Sequence, residues 1–249
     1  SVRVTQQHRS GNPERMTCLY ARAGGIFKAI RAPHGPSERP FRVAPASIHH
    51  TGDYLMASPV IDFLLSRASP PIHELKAPGP DDKEIELMLR AATRVPDHGK
   101  LEPWRFILYR GEAREKAGEA LVGLMEALEG PQPEHRRAKE RERFSRAPLV
   151  IGVISSPKPH PKIPEWEMFL SGGMVAMNLI IAATALGYGA NLITNWYSSE
   201  PEGRRLLGLA PHERVVGFVH VGTFSGVVPE RPRPDVASLV SDYSGPHQG

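Results

Sequence analysis

The sequence predicts an α+β fold, a central sheet flanked by helices, on three observations. Residues 104–109 are aromatic and β-branched, 148–155 (P-L-V-I-G-V-I-S) are continuously apolar and 214–223 (R-V-V-G-F-V-H-V-G-T) alternate, so all three read as strands. Residues 81–93, 112–129 and 164–186 carry apolar side chains at helical spacing. An apolar content of 40% over 249 residues is enough for a sizeable core.

The formal net charge of +4 and pI near 9.3 point to an anionic partner until the charge is mapped. Residues 1–55 hold eight of the 31 Lys and Arg but three of the 27 Asp and Glu, which leaves 23 cations against 24 anions in the rest. The basic balance belongs to this leader, so no nucleic-acid or membrane partner is expected for the body. Cys18, also in the leader, is the only cysteine, which excludes an internal disulfide and a Cys-based metal site and favours a reducing compartment.

Residues 1–55 are rich in Arg, His, Pro, Gly and Ser and have no sustained period, so they read as a disordered or non-native extension. The folded domain is expected over residues 56–249. No apolar run in the leader has signal-peptide length, and a cytoplasmic protein is expected. Ser58 and Pro59 then cap a short helix whose apolar set is Val60, Ile61, Phe63, Leu64 and Leu65. It ends at Ser66-Arg67-Ala68-Ser69 before Pro70-Pro71. A guanidinium and two hydroxyls at a forced turn can hold a phosphate or a polar ring edge, although a solvated helix end gives the same pattern.

After the helix at 81–93, residues 94–106 (R-V-P-D-H-G-K-L-E-P-W-R-F) form a polar loop bracketed by Pro96 and Pro103, with Gly99 permitting a sharp turn between Asp97, His98, Lys100 and Glu102. Such a donor- and acceptor-rich connection is where binding chemistry sits. The helix at 112–129 presents Ala117, Ala120, Leu121, Leu124, Met125 and Leu128. The charged stretch 134–146 reads as an exposed helix or lid. Residues 164–186 are apolar on nearly all sides, so the helix is expected to be buried and to run through a subunit interface. Its uninterrupted apolar part is short and contains Asn178, which argues against a membrane span. A glycine turn at 187–191 leads to a short strand at Leu192-Ile193-Thr194, and residues 201–209 read as a short helix. His220 on the last strand reads as a packed residue, not a ligand. Arg231 and Arg233 lie one apart on a proline-stiffened tail and are expected to reach in the same direction.

Taken together, residues 58–243 resemble the nitroreductase family of FMN-dependent oxidoreductases, in its short single-module branch. Four segments carry the resemblance in order. Ser66-Arg67-Ala68-Ser69 resembles the first flavin motif, R-[RHX]-S, with Ala68 at the second basic position. The loop 94–106 resembles A-P-[SD]-x-x-N/x-x-Q-P-W-x-F, with Glu102 where Gln is usual. L-G-Y-G-A-N-L-I-T resembles the long helix, glycine turn and flavin-facing strand end, and R-P-R-P resembles the basic pair at the flavin phosphate.

The resemblance implies a dimeric fold with a mixed central sheet, FMN as cofactor and NAD(P)H as co-substrate. It assigns Arg67, Ala68, Ser69, Arg231 and Arg233 to the phosphate and ribityl end. His98 and Glu102 fall near the ribityl chain and ring edge, and Leu192, Ile193 and Thr194 along the isoalloxazine, with both subunits contributing to each site. It also implies ping-pong reduction of nitroaromatics, quinones or similar acceptors, with no side-chain nucleophile. Related flavoproteins that dehalogenate, desaturate or fragment flavin share the pattern. From another class, a nucleic-acid or membrane-surface binder driven by the basic leader remains as a competing reading, and strong salt dependence would distinguish it.

Overall fold

The structure, a computed structural model, describes residues 59–246. The leader 1–55 with Cys18, and the Ser58 cap, lie outside the described residues. In chain order the elements are α1 (Pro59–Ser66), α2 (Asp82–Ala92), β1 (Trp104–Arg110), α3 (Glu112–Glu129), α4 (Glu134–Arg141), β2 (Leu149–Ser155), α5 (Glu165–Ala185), β3 (Gly189–Ile193), α6 (Trp196–Ser199), α7 (Pro201–Leu206) and β4 (Arg214–Gly222).

The α+β expectation is borne out, with one difference in the sheet. The strands run in the order β1-β2-β4-β3, and every described pairing is antiparallel, not mixed. Each connection between sheet neighbours returns the chain in the opposite direction, so no parallel ladder forms among these strands. β2 is buried along its whole length because both its faces are covered. Leu149, Ile151 and Val153 pack towards α2 and α5. Val150 and Ile154 pack on the other face with Leu121 of α3, Phe144, Tyr197 and Phe218.

Local chemistry explains the boundaries. Asp81 and Glu84 form a reciprocal capping box at the start of α2. Gly187, at φ 85°, ends α5, where Tyr188 N donates to Ala183 O at 3.0 Å. Tyr188 Oη then donates to Glu84 Oε2 at 2.6 Å and ties the end of α5 to the cap of α2.

The charged segment is neither exposed nor a lid at its C-terminal end. α4 packs so closely on α3 that a Cβ on Gly118 would stand 1.9 Å from Arg141 O. Glu140 is buried, where it accepts from Arg143 Nη2 at 2.6 Å and Trp196 Nε1 at 3.2 Å. A buried charge needs such partners, and Arg143 supplies the countercharge from three positions along the chain.

α5 departs from the all-round burial expected of it. Trp166, Leu170, Met174 and Met177 are 62%, 55%, 40% and 40% exposed, and their spacing of four, four and three puts them on one stripe. By length and composition this helix is long and apolar enough to cross a membrane, but 56% of that window is buried in this fold, as in a core helix. His220 is fully buried as expected, with Nε2 3.1 Å from Arg143 O and its pKa lowered chiefly by burial.

Candidate functional site

The chain leaves α1 through Arg67 N, which donates to Phe63 O at 2.9 Å, and the following prolines force it out of the helix. Arg67 Nη1 donates to Ser69 Oγ at 3.2 Å. Asn191 Nδ2 of β3 donates to Pro70 O at 2.8 Å and so anchors this turn to the sheet edge. Gly189 makes the approach possible, since a Cβ there would stand 2.9 Å from Pro70 Cγ and 2.6 Å from Leu75 Cδ2.

Arg67 is half-buried, and its pKa is lowered by burial and then by the guanidinium of Arg233. Two segments far apart in sequence therefore bring cations together. Arg233 is held by Glu230, Nε to Oε1 at 2.7 Å, whereas no carboxylate pairs with Arg67 among the described residues. A half-buried guanidinium in the field of a second cation, with no carboxylate partner among the described residues, is suited to take an anion. Arg231 is exposed and makes no ion pair among the described residues, so only one of the two tail arginines is tied to Arg67.

The loop after α2 is built around Asp97. Its carboxylate accepts from Leu101 N at 3.1 Å and Glu102 N at 2.8 Å, which closes a turn in which Gly99, Lys100 and Glu102 have φ of 73°, 55° and 48°. Two non-glycine residues in the left-handed region cost energy that the surrounding bonds must offset. α5 supplies those bonds. Ser171 Oγ accepts from Trp104 Nε1 at 3.1 Å and donates to Pro96 O at 2.8 Å. Asn178 Nδ2 donates to Arg94 O at 3.1 Å, and Glu167 Oε2 lies 2.8 Å from His98 Nδ1. His98 is thus oriented from the first turn of α5, while the exposed Glu102 side chain makes no hydrogen bond to a described residue.

At the sheet edge, Leu192 fills the space that Gly217 leaves open, where a Cβ would meet Leu192 Cγ at 2.8 Å. The Leu192 side chain therefore packs on the core, Ile193 is half-buried and Thr194 is exposed at the strand end. The structure thus joins Arg67 to Ser69 beside β3, with Arg233 near enough to act on the Arg67 guanidinium through its charge, and keeps His98 and Glu102 on a separate loop. No hydrogen bond or ion pair among the described residues joins the two groups within one chain. Among these residues no group of three or more His, Cys, Asp or Glu is placed to hold a metal.

The sequence model of the Nitroreductase family matches residues 73–223, more than half of the chain. The chain belongs to the nitroreductase family. This nitroreductase-family chain is 31% identical over 163 residues to Escherichia coli (strain K12) YdjA, a protein provisionally named NAD(P)H nitroreductase, covering 66% of this chain and 87% of that one. Its fold matches that of a nitroreductase-like family protein from Bacillus cereus with a TM-score of 0.64 at 22% identity, over 78% of this chain and 100% of the other. It also matches a nitroreductase with bound FMN from Bacteroides fragilis with a TM-score of 0.56 at 19% identity, over 75% and 100% of the two chains.

In this nitroreductase-family chain, the residues that position the loop escaped the sequence reading. Ser171 and Asn178 stand seven apart, two turns along one face of an otherwise apolar helix, and that spacing is the signal that a polar segment lies across it. Asn191, a lone amide in a short strand, is the corresponding signal for the Arg67 turn.

Proposed function

We propose that this protein is an FMN-dependent oxidoreductase that takes hydride from NAD(P)H and reduces nitroaromatics, quinones or similar acceptors in a ping-pong cycle. The observation that carries the reading is the convergence of Arg67, Ser69 and Arg233 with no carboxylate to neutralise Arg67 among the described residues. That donor set fits a dianionic phosphate, because guanidinium groups and a small hydroxyl make strong charge-assisted bonds to phosphate oxygens. Arg67, Ser69, Arg233 and the main chain at Ala68 would hold the phosphate and ribityl end, with Arg231 adding charge from the same tail. His98 and Glu102 would address the ribityl chain and ring edge, and Leu192, Ile193 and Thr194 would line the flat ring mainly through their backbone.

FMN supplies the hydride and electron chemistry when bound, so the chain needs no side-chain nucleophile. Its own residues bind and orient: Glu167 fixes the imidazole of His98, and Asp97 fixes the backbone of Leu101 and Glu102. The exposed stripe on α5 supports a homodimer in which the loop of one subunit completes the cluster of the other. A cytoplasmic location agrees with the bacterial relative and with reducing chemistry of this kind.

The full chain, purified after expression with riboflavin, should be yellow and show flavin absorbance. Anaerobic NADPH should bleach that absorbance and nitrobenzene should restore it. A colourless protein that takes up no FMN on reconstitution would end this reading, and bleaching without recovery on nitrobenzene would move the chemistry to another acceptor class.

A further inference from the structure

A cavity of about 390 Å³ opens at the end of β3, lined by Thr194, Asn195, Ser198, Ser199, Arg204 and Arg214 among others, of which only Thr194 is also a candidate flavin-site residue. Its lining contains two guanidinium groups and no carboxylate. Neither cation is saturated by the described residues. Arg204 donates through Nη1 to Glu213 O at 3.1 Å, and its other side-chain N–H groups make no hydrogen bond to a described residue. Arg214 is 56% exposed at its side chain, lies over the Phe169 ring at 4.7 Å and stands 3.9 Å from Glu165 Oε1, too far for a hydrogen bond. Asn195 spends Oδ1 on capping α6, as Trp196 N donates to it at 2.9 Å, which leaves its amide N–H groups without a described partner. The cavity is therefore a set of unspent donors with net positive charge, held against the exposed strand end at Thr194.

We propose that this cavity binds the anionic oxygens of a reactant, a carboxylate or a phosphate, and that Arg214 and Arg204 are its specificity determinants. Planar guanidinium groups match carboxylate and phosphate oxygens, and a ligand oxygen at hydrogen-bond distance from Arg214 displaces the loose pair with Glu165 at little cost. Because Thr194 belongs both to this cavity and to the proposed ring-lining strand, a ligand anchored here presents the rest of its structure to that strand. The assignment to a reactant rests on the oxidoreductase reading above. The anion preference of the cavity does not.

The chemistry admits two sources, the carboxylate of an acceptor or a phosphate of the nicotinamide donor. Two measurements on the full-length protein separate them. Calorimetric titration with benzoate and with inorganic phosphate reads the cavity directly, without turnover. Steady-state KM is then compared for 4-nitrobenzoate against nitrobenzene, and for NADPH, in the wild type, Arg214→Gln and Arg204→Lys. Arg214→Gln alters an exposed side chain and leaves the core intact, so flavin content and melting temperature serve as controls.

An acceptor site predicts a KM for 4-nitrobenzoate raised about ten-fold or more by Arg214→Gln, with nitrobenzene and NADPH unchanged. A donor site predicts the same rise for NADPH with both acceptors unchanged. If neither KM moves and neither anion binds more weakly to the variant, the cavity is not an anion site. A wild type without flavin or turnover that still binds benzoate or phosphate through Arg214 would overturn the oxidoreductase reading and leave the cavity standing.

Discussion

On the face of the sheet covered by α3, α4, α6 and α7 a single chain completes its own packing, whereas on the face covered by α2 and α5 it stops short. The first face holds an aromatic cluster of Tyr109, Phe144, Tyr197 and Phe218, with Phe144 4.7 Å from Tyr109 and 5.1 Å from Phe218 between ring centroids. Its buried carboxylates are paired internally, Glu140 on Arg143 and Glu213 on Arg105. On the second face α5 buries one side in the core and leaves Trp166, Leu170, Met174 and Met177 outward. The candidate cofactor residues stand at the end of α1, on the loop held by α5, at edge strand β3 and on the C-terminal segment; none comes from α3, α4, α6 or α7. Both faces bury an apolar cluster, but only the first leaves no large apolar stripe outward. The exposed stripe on the second face is where we propose that a second subunit packs.

The largest expected effect tests that division directly. Met177→Arg puts a charge on the outward stripe of α5, where a monomer can leave it in water but a partner helix cannot. The variant should lose the dimer and most of its flavin while keeping its far-UV circular dichroism. Light scattering and flavin absorbance on one sample check this, and a wild type that is monomeric at low concentration yet retains FMN would remove the link between assembly and cofactor.

The next effect belongs to the finished face. Arg105 donates to both oxygens of the buried Glu213 at 2.6 Å, and this pairing holds the carboxyl at about 2, well below its ordinary value. A depressed carboxylate stabilises the fold fully above the ordinary Glu range near 4.3, and the contribution is lost as pH falls towards 2. It is worth up to roughly 3 kcal/mol. Melting temperature should fall steeply between about pH 4.5 and pH 2. In Glu213→Gln the protein should melt lower at pH 7 and the acid limb should flatten; an unchanged acid limb would mean that another carboxylate sets it.

Arg67→Ala follows in size. Loss of one charge-assisted contact to a phosphate should weaken FMN binding by about 1.5–3 kcal/mol. Stability of the apoprotein should hardly change, because Arg67 pairs with no described carboxylate and makes one side-chain bond, to Ser69. Equal flavin occupancy in wild type and variant after dialysis would take Arg67 out of the site.

The helices and strands were legible in the sequence where one periodicity ruled a whole segment, as in α2 and α3, or where a run was apolar throughout, as in β2. Reading failed where an element answers to a partner that sequence does not display. α4 looks polar all round, yet the Cβ-free surface of Gly118 and the side chain of Trp196 draw its last turn into the core. Strand direction depends on how connections return, which composition does not encode. Among the candidate site residues, Arg67 and Ser69 stood out through helix-end chemistry. The supporting Asn191, Ser171 and Glu167 did not, since each acts on a segment distant in sequence through only one or two hydrogen bonds.

The smallest expected effect concerns Glu102. Its backbone sits at φ 48° because Asp97 grips its N–H, and its side chain is exposed with no hydrogen bond to a described residue. Glu102→Gln preserves length and backbone conformation, so the left-handed strain stays and the melting temperature should shift by no more than about one or two degrees. What changes is the side chain's chemistry. An ionised carboxylate only accepts hydrogen bonds, whereas the amide also donates two and carries no charge. FMN affinity should therefore stay equal or rise by a few-fold, well below the loss in Arg67→Ala, as fluorescence quenching on titration with FMN will show. A clear drop would mean that Glu102 meets a cation of the partner subunit in the assembled site. The loop would then belong to the finished part of the dimer and not to its cofactor pocket.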